Sequence, residues 1–161
     1  MATNDLLQYL ESTDSAGNAY SAATSNRQQV ETFIAAGTIV AGDVVAFSFA
    51  DGDAPGDAVL NVIKSSADSH CVGVALAGAS QGDQIRVVIG GVAEAKVDGK
   101  NNAGNASISS GDFLCQGDVA GTFYKYTAGT DAGVDAIAVD DKASAASEAA
   151  LVKTVILIKK F

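Results

Sequence analysis

Three short stretches of the sequence carry residue types that do chemistry in other proteins. Gly78-Ala79-Ser80-Gln81-Gly82 spells Gly-x-Ser-x-Gly, the pattern of a nucleophile elbow, in which a serine on a tight strand-to-helix turn is presented to a histidine base. That turn needs a helix after the serine, whereas Asp83-Gln84-Ile85-Arg86-Val87-Val88 reads as a strand, so the expectation is a hairpin turn. The single histidine, His70, also precedes the serine, against the chain order of that fold. Beside Cys71 it is poorly placed to act as base for the thiol, because neighbours on a strand point to opposite faces. Asp51-Gly52-Asp53-Ala54-Pro55-Gly56-Asp57 sets three carboxylates on a glycine-containing loop. These are the hard oxygen ligands that calcium prefers, but the closing glutamate of a calcium loop is missing and a solvated loop is expected. The sequence contains no phosphate-binding loop and no dinucleotide fingerprint. Catalytic residues, metals and cofactors are therefore not expected, and the chain reads as a non-enzyme.

Composition narrows the remaining classes. The formal charge is −9, with 19 acids against 10 bases, which disfavours a nucleic-acid surface because phosphate neutralisation needs clustered Lys and Arg. Residues 1–63 hold eight acids and one base, Arg27, so the front of the chain is the acidic part. Cys71 and Cys115 sit alone inside apolar runs, where free thiols pack as small hydrophobes. Met1-Ala2-Thr3-Asn4-Asp5 has neither the basic nor the apolar region of a signal peptide, and no apolar run is long enough to span a bilayer. Synthesis in a bacterial cytoplasm and no membrane partner are the expectations. Asn105-Ala106-Ser107 then reads as a polar loop rather than a glycosylation site.

The elements that must position these residues are strands. Hydrophobic residues make up 48% of the 161, aromatics only 6%, and Trp is absent, so the core must be built from small and β-branched side chains that suit thin sheets and tight barrels. Seventeen Gly against one Pro imply turns that use positive φ. Residues 1–26 are expected to be an arm, with Leu6, Leu7, Tyr9 and Leu10 ahead of a polar stretch. From Arg27 the pattern predicts strands at Gln29–Ala35, Asp43–Phe49, Ala58–Ile63, Cys71–Ala77, Gln84–Ile89, Ala93–Val97, Asp112–Gln116, Phe123–Thr127, Val134–Val139 and Val152–Ile158. Ala143–Leu151 is Ala-rich enough for a helical turn or two.

An internal repeat organises these strands. Thr38-Ile39-Val40-Ala41-Gly42-Asp43-Val44-Val45 resembles Ser107-Ile108-Ser109-Ser110-Gly111-Asp112-Phe113-Leu114. Downstream, Cys71–Ala77 is answered by Gly133–Val139, and Ile85–Ile89 by Val152–Ile156. A Gly-Asp pair before an apolar strand makes a tight turn, with Gly at positive φ and Asp bonding nearby backbone, which fixes the register of the strand that follows. Gly42, Asp43, Gly111 and Asp112 are accordingly the structural turn residues. The reading is all-β: two tandem copies of one motif, residues 27–98 and 99–161, forming small barrel or sandwich lobes packed as one compact domain behind the 1–26 arm.

Asn26–Ile34, Ile39–Val45, Val72–Leu76 with Ala79 and Gly82-Asp83, Gly90-Gly91-Val92-Ala93-Glu94 and Ile108–Asp112 together resemble a family of small phage and prophage capsid decoration, or cement, proteins. The likeness spans residues 26–161; the second copy departs from it at Asp135-Ala136-Ile137-Ala138, where a closer match would read Val-Gly-Val-Ala. The resemblance implies a structural virion protein on the capsid surface, bound to the major capsid protein. It would bridge neighbouring capsid subunits, stabilise the expanded head and act as a homo-oligomer, with a trimer favoured. Leu6, Leu7, Tyr9 and Leu10 would be the capsid-binding arm. The competing expectation is a β-rich adsorption or fibre module that binds host glycans. Against it, such sites use aromatic platforms beside polar groups, while this chain has no Trp and its four tyrosines, Tyr9, Tyr20, Tyr124 and Tyr126, lie in the arm or on one short segment.

Overall fold

A computed structural model describes residues 29–49, 60–66, 71–98, 100–101, 104–105, 107–129, 131, 133–141 and 150–156, with backbone alone for 100–101, 104–105 and 150–156. The arm and the Asp51–Asp57 loop lie outside the described residues. Among the described residues there are eleven strands and no helix. They are β1 (Gln29–Ala35), β2 (Val44–Phe47), β3 (Asn61–Lys64), β4 (Cys71–Ala75), β5 (Gln84–Val97), β6 (Lys100–Asn101), β7 (Gly104–Asn105), β8 (Phe113–Gln116), β9 (Phe123–Lys125), β10 (Ala136–Ala138) and β11 (Ala150–Ile156).

Nine strands form one continuous sheet in the order β1-β3-β2-β4-β5-β11-β10-β8-β9, and it closes on itself twice. Pairing of β1 with the first half of β5, Val30 opposite Val88 and Ile34 opposite Gln84, closes a five-stranded barrel. The second half of β5 pairs with β11 from Val97–Ala150 to Gly91–Ile156. The second circuit closes where Val97 lies parallel to Phe123 and the Asp98 N–H donates to the Phe123 carbonyl at 2.7 Å. Strand β5 is thus the last strand of one barrel and the first of the next. The separate strands expected at Gln84–Ile89 and Ala93–Val97 are one strand, because Gly91, at φ 96°, lets the chain bend between barrels without leaving the ladder.

The repeat is visible bond by bond. In the first barrel the Gly42 N–H donates to Ala75 and the Ala75 N–H to Asp43; in the second, Gly111 donates to Ala138 and Ala138 to Asp112, all at 2.8–2.9 Å. Ser65 donates to Val44 as Tyr126 donates to Phe113. Ala36 donates to Val62 as Asp98 donates to Phe123, so the second half of β5 holds in the second barrel the place that β1 holds in the first. The interiors are filled differently at matched places. Phe33 faces the first barrel with Val62, where the second barrel has Ala95 and Phe123. A large ring stands on β1 in the one and on β9 in the other, each time opposite a smaller side chain.

Valines dominate the buried set, with Val44, Val45, Val62, Val74, Val87, Val88 and Val97 all fully enclosed. Val44, Cys71, Val74 and Val88 of the first barrel's strands pack into the same cluster as Leu114, Phe123 and Ala136 of the second, so one core runs across the joint. Gly73 marks a close backbone approach: a Cβ there would stand 2.1 Å from the Val88 carbonyl oxygen and 2.8 Å from Val87 Cγ1. Gly37 has only Ile63 side-chain atoms at 3.8 Å. Gly73→Ala is therefore expected to destabilise by roughly 1–3 kcal/mol through overpacking, while Gly37→Ala stays within about 1 kcal/mol of the parent. Urea denaturation midpoints of the two variants check the contrast, and equal effects would remove the close approach as the reason for Gly73.

Candidate functional site

Ser80 does not stand in an elbow. It occupies an exposed turn in which its own N–H donates to Asp83 Oδ2 at 3.1 Å, and strand β5 follows. Cys71 is buried, its thiol directed at the Gly73 carbonyl at 3.9 Å, and His70 lies outside the described residues. Among the described residues no three His, Cys, Asp or Glu side chains come together as a metal set. What the chain does build repeatedly is a Gly-Asp turn. Val40–Asp43, Ser80–Asp83 and Ser109–Asp112 each close with the Asp N–H donating back to the first residue, and each Asp carboxylate accepts that residue's N–H. Gly42, Gly82 and Gly111 stand at φ 82°, 88° and 90°, the conformation a type II turn requires at its third position.

The three turns meet different surroundings. Asp43 is 1% exposed, and its carboxylate takes Lys96 Nζ at 2.6 Å on Oδ1 and Lys64 Nζ at 3.1 Å on Oδ2, besides the Val40 N–H at 2.8 Å. Lys96 comes from the second half of β5 and Lys64 from β3, so one buried anion ties the joint from two directions. Gly121, at φ 79°, presses on it from the second barrel: a Cβ there would be 3.2 Å from the Asp43 Cγ and Oδ1. The backbone seals the same place. Val44 N–H donates to Gly121, Gly121 N–H to Ser65 and Lys96 N–H to Gly42. Asp112 repeats the turn and keeps a Lys125 partner at 2.7 Å, at the place of the Lys64 pair, but it has no counterpart of Lys96 among the described residues and remains partly open to solvent.

The lysines were not singled out from the sequence. A signal was present, since Asn61-Val62-Ile63-Lys64 and Thr122-Phe123-Tyr124-Lys125 end in a base at matched places of the repeat. A second polar group lies in the second barrel. The Tyr124 hydroxyl donates to Asp131 Oδ1 at 2.6 Å, and the Thr127 N–H donates to the other oxygen. Beside it, burial pushes the Cys115 thiol up to about 12, with the Asp131 carboxylate adding to the effect. Tyr124 is raised too, first by burial and then by its bond to Asp131. Burial of Asp112 acts upward on its carboxyl, but the Lys125 and Ser109 bonds outweigh it and leave that group below the usual range. Outside these polar sites the surface carries exposed apolar side chains: Phe49, Leu60, Ile63 and Ile34 on the first barrel and Phe113, Val119 and Val139 on the second. Among the described residues the arrangement offers apolar and polar surfaces suited to binding.

No family model matches this chain, and no curated protein sequence does. Solved structures do match. The chain is similar to the N base of the head fibre gp8.5 of bacteriophage phi29. The TM-score is 0.54 at 21% identity, over 83% of this chain and 98% of that one. At that identity the likeness is one of fold, and it takes in both barrels.

Two outcomes follow from the polar groups. Asp43→Ala strips the partner from two half-buried ammonium groups and is expected to cost about 3–5 kcal/mol. Asp112→Ala, in the same turn but beside solvent, is expected to cost about 1 kcal/mol. Chemical denaturation of both variants reads the difference. The second outcome concerns alkali. Cys115 and Tyr124 are neutral when protonated, and the folded chain holds both protons more tightly than the unfolded one. The Cys115 contribution is complete below the ordinary thiol value of 9.0 and is lost as pH rises toward about 12, and the Tyr124 contribution declines above its ordinary value of 10.0. Melting temperature measured against pH should fall across that window, and less steeply in Cys115→Ala.

Proposed function

We propose that this chain is a structural protein of a phage virion that sits on the outside of the head, bound to the major capsid protein. There it bridges neighbouring capsid subunits and stabilises the expanded shell. The observation that carries the reading is the fold likeness to a phage head fibre base over nearly the whole of that base. It is joined by the resemblance of the Gly-Asp repeat segments to capsid decoration proteins. Two fused barrels with a continuous core make a rigid block, and such a block loses little conformational entropy on docking. The arm residues Leu6, Leu7, Tyr9 and Leu10 supply an apolar segment that orders against the shell.

A second reading is favoured by the same likeness: the chain is the base of a head fibre, and adsorption to host glycans belongs to the assembled fibre. The two readings share attachment to the head and differ in what attachment does. Co-sedimentation with expanded, undecorated heads of the encoding phage tests both. Saturable binding with a raised melting temperature of the shell is the expected result. Binding with no change in shell stability favours the fibre base, and failure to bind any head removes both. Deletion of residues 2–25 is expected to abolish binding while leaving the melting of the barrels unchanged; undiminished binding would remove the arm from the contact.

A further inference from the structure

The joint inside the chain uses one face of each barrel, and the repeat gives each face a counterpart on the other barrel. The first barrel contributes the turn leading into Val44, which donates to Gly121 and is 0% exposed. The second contributes Lys96 and Gly121, which receive that turn. The matched bonds of the two barrels put Phe113 at the place of Val44 and Ile34 at the place of Lys96. Phe47 opposite Val62 corresponds to Gln116 opposite Phe123, which puts Leu60 at the place of Gly121. The counterparts are open: Ile34 is 38%, Leu60 48% and Phe113 52% exposed.

We propose that a second copy of this chain covers them. The Phe113 face of one copy packs on the Ile34–Leu60 face of the next, head to tail, continuing between chains the joint that each chain makes within itself. The exchanges at the three places support a contact between separate molecules. A lysine becomes isoleucine, a glycine becomes leucine and a valine becomes phenylalanine. The internal joint is held by the shared strand and needs little further driving force. Free copies lose translational and rotational freedom when they meet, and apolar side chains at the centre of the patch supply the compensation. Asp112 keeps Lys125 as its own partner, so no uncompensated charge enters the contact. Leu60 fills the room that Gly121 leaves for a carboxylate, which makes the outer contact wider than the inner one, and the larger ring of Phe113 occupies that width. Because the two faces differ, the contact is heterologous, and every copy offers one face of each kind.

The inference stands apart from attachment to a head and is tested without one. Sedimentation velocity of the full chain is expected to show an assembly larger than a monomer. Phe113→Glu and Leu60→Glu should each sediment as a monomer with an unchanged circular-dichroism melt. An equimolar mixture of the two should form dimers and nothing larger, since each pair has one intact Phe113 face to set on one intact Leu60 face. Should Phe113→Glu fold poorly, Phe113→Thr reads the same face and is expected to weaken association roughly tenfold. A wild-type monomer at every concentration loaded, a Phe113 variant that keeps the wild-type mass, or a mixture that stays monomeric would each overturn the proposal.

Discussion

Both barrels depend on β5. A strand of 14 residues from Gln84 to Val97 gives its first half to one closed sheet and its second half to another, so the register of either barrel is linked to that of the other. A slip of one residue anywhere along it would turn Val87 and Val97 outward together. Gly90 and Gly91 sit where the strand changes partners, and positive φ at Gly91 allows the change of direction that two separate barrel axes require. The long ladders to β1 and β11 then hold both halves in place.

Around that strand the chain uses one local device three times and obtains three results. Each Gly-Asp turn satisfies its own backbone, and that much is decided by four residues. What the carboxylate does next depends on the barrel around it. Asp83 faces solvent, Asp112 has one lysine at the surface, and Asp43 is enclosed between two lysines and the bare backbone of Gly121. A buried charge is tolerable only when fully partnered, so the joint specifies Asp, Lys, Lys and Gly together.

The all-β class, the repeat and strand β1 could be read from the sequence because alternation, glycine placement and Gly-Asp turns are local signals. The continuity of β5 could not, since Gly90-Gly91 looks like punctuation until both halves are seen to be paired. Hairpin β6–β7, at Lys100-Asn101 and Gly104-Asn105, is polar and too short for a periodic pattern. The strand expected to run from Asp43 to Phe49 stops at Phe47, although the Ser48 N–H still reaches the Asn61 carbonyl. The swap of Phe33 for Phe123 hid how complete the repeat is, because the two copies share their bonds more closely than their side chains. Lys96 is 53 residues from Asp43, and no spacing rule connects them.

The shared strand also has a mechanical meaning. A force that draws the two barrels apart acts along β5, and the hydrogen bonds to Gln29–Ile34 on one side and Ala150–Ile156 on the other lie across the pull. They are loaded side by side, in shear, and yield together instead of opening one after another like a zipper. The bonds that cross directly between the barrels, from Val44 to Gly121, Gly121 to Ser65 and Lys96 to Gly42, share that load. A block tied in this way passes tension from one barrel to the other without a hinge between them.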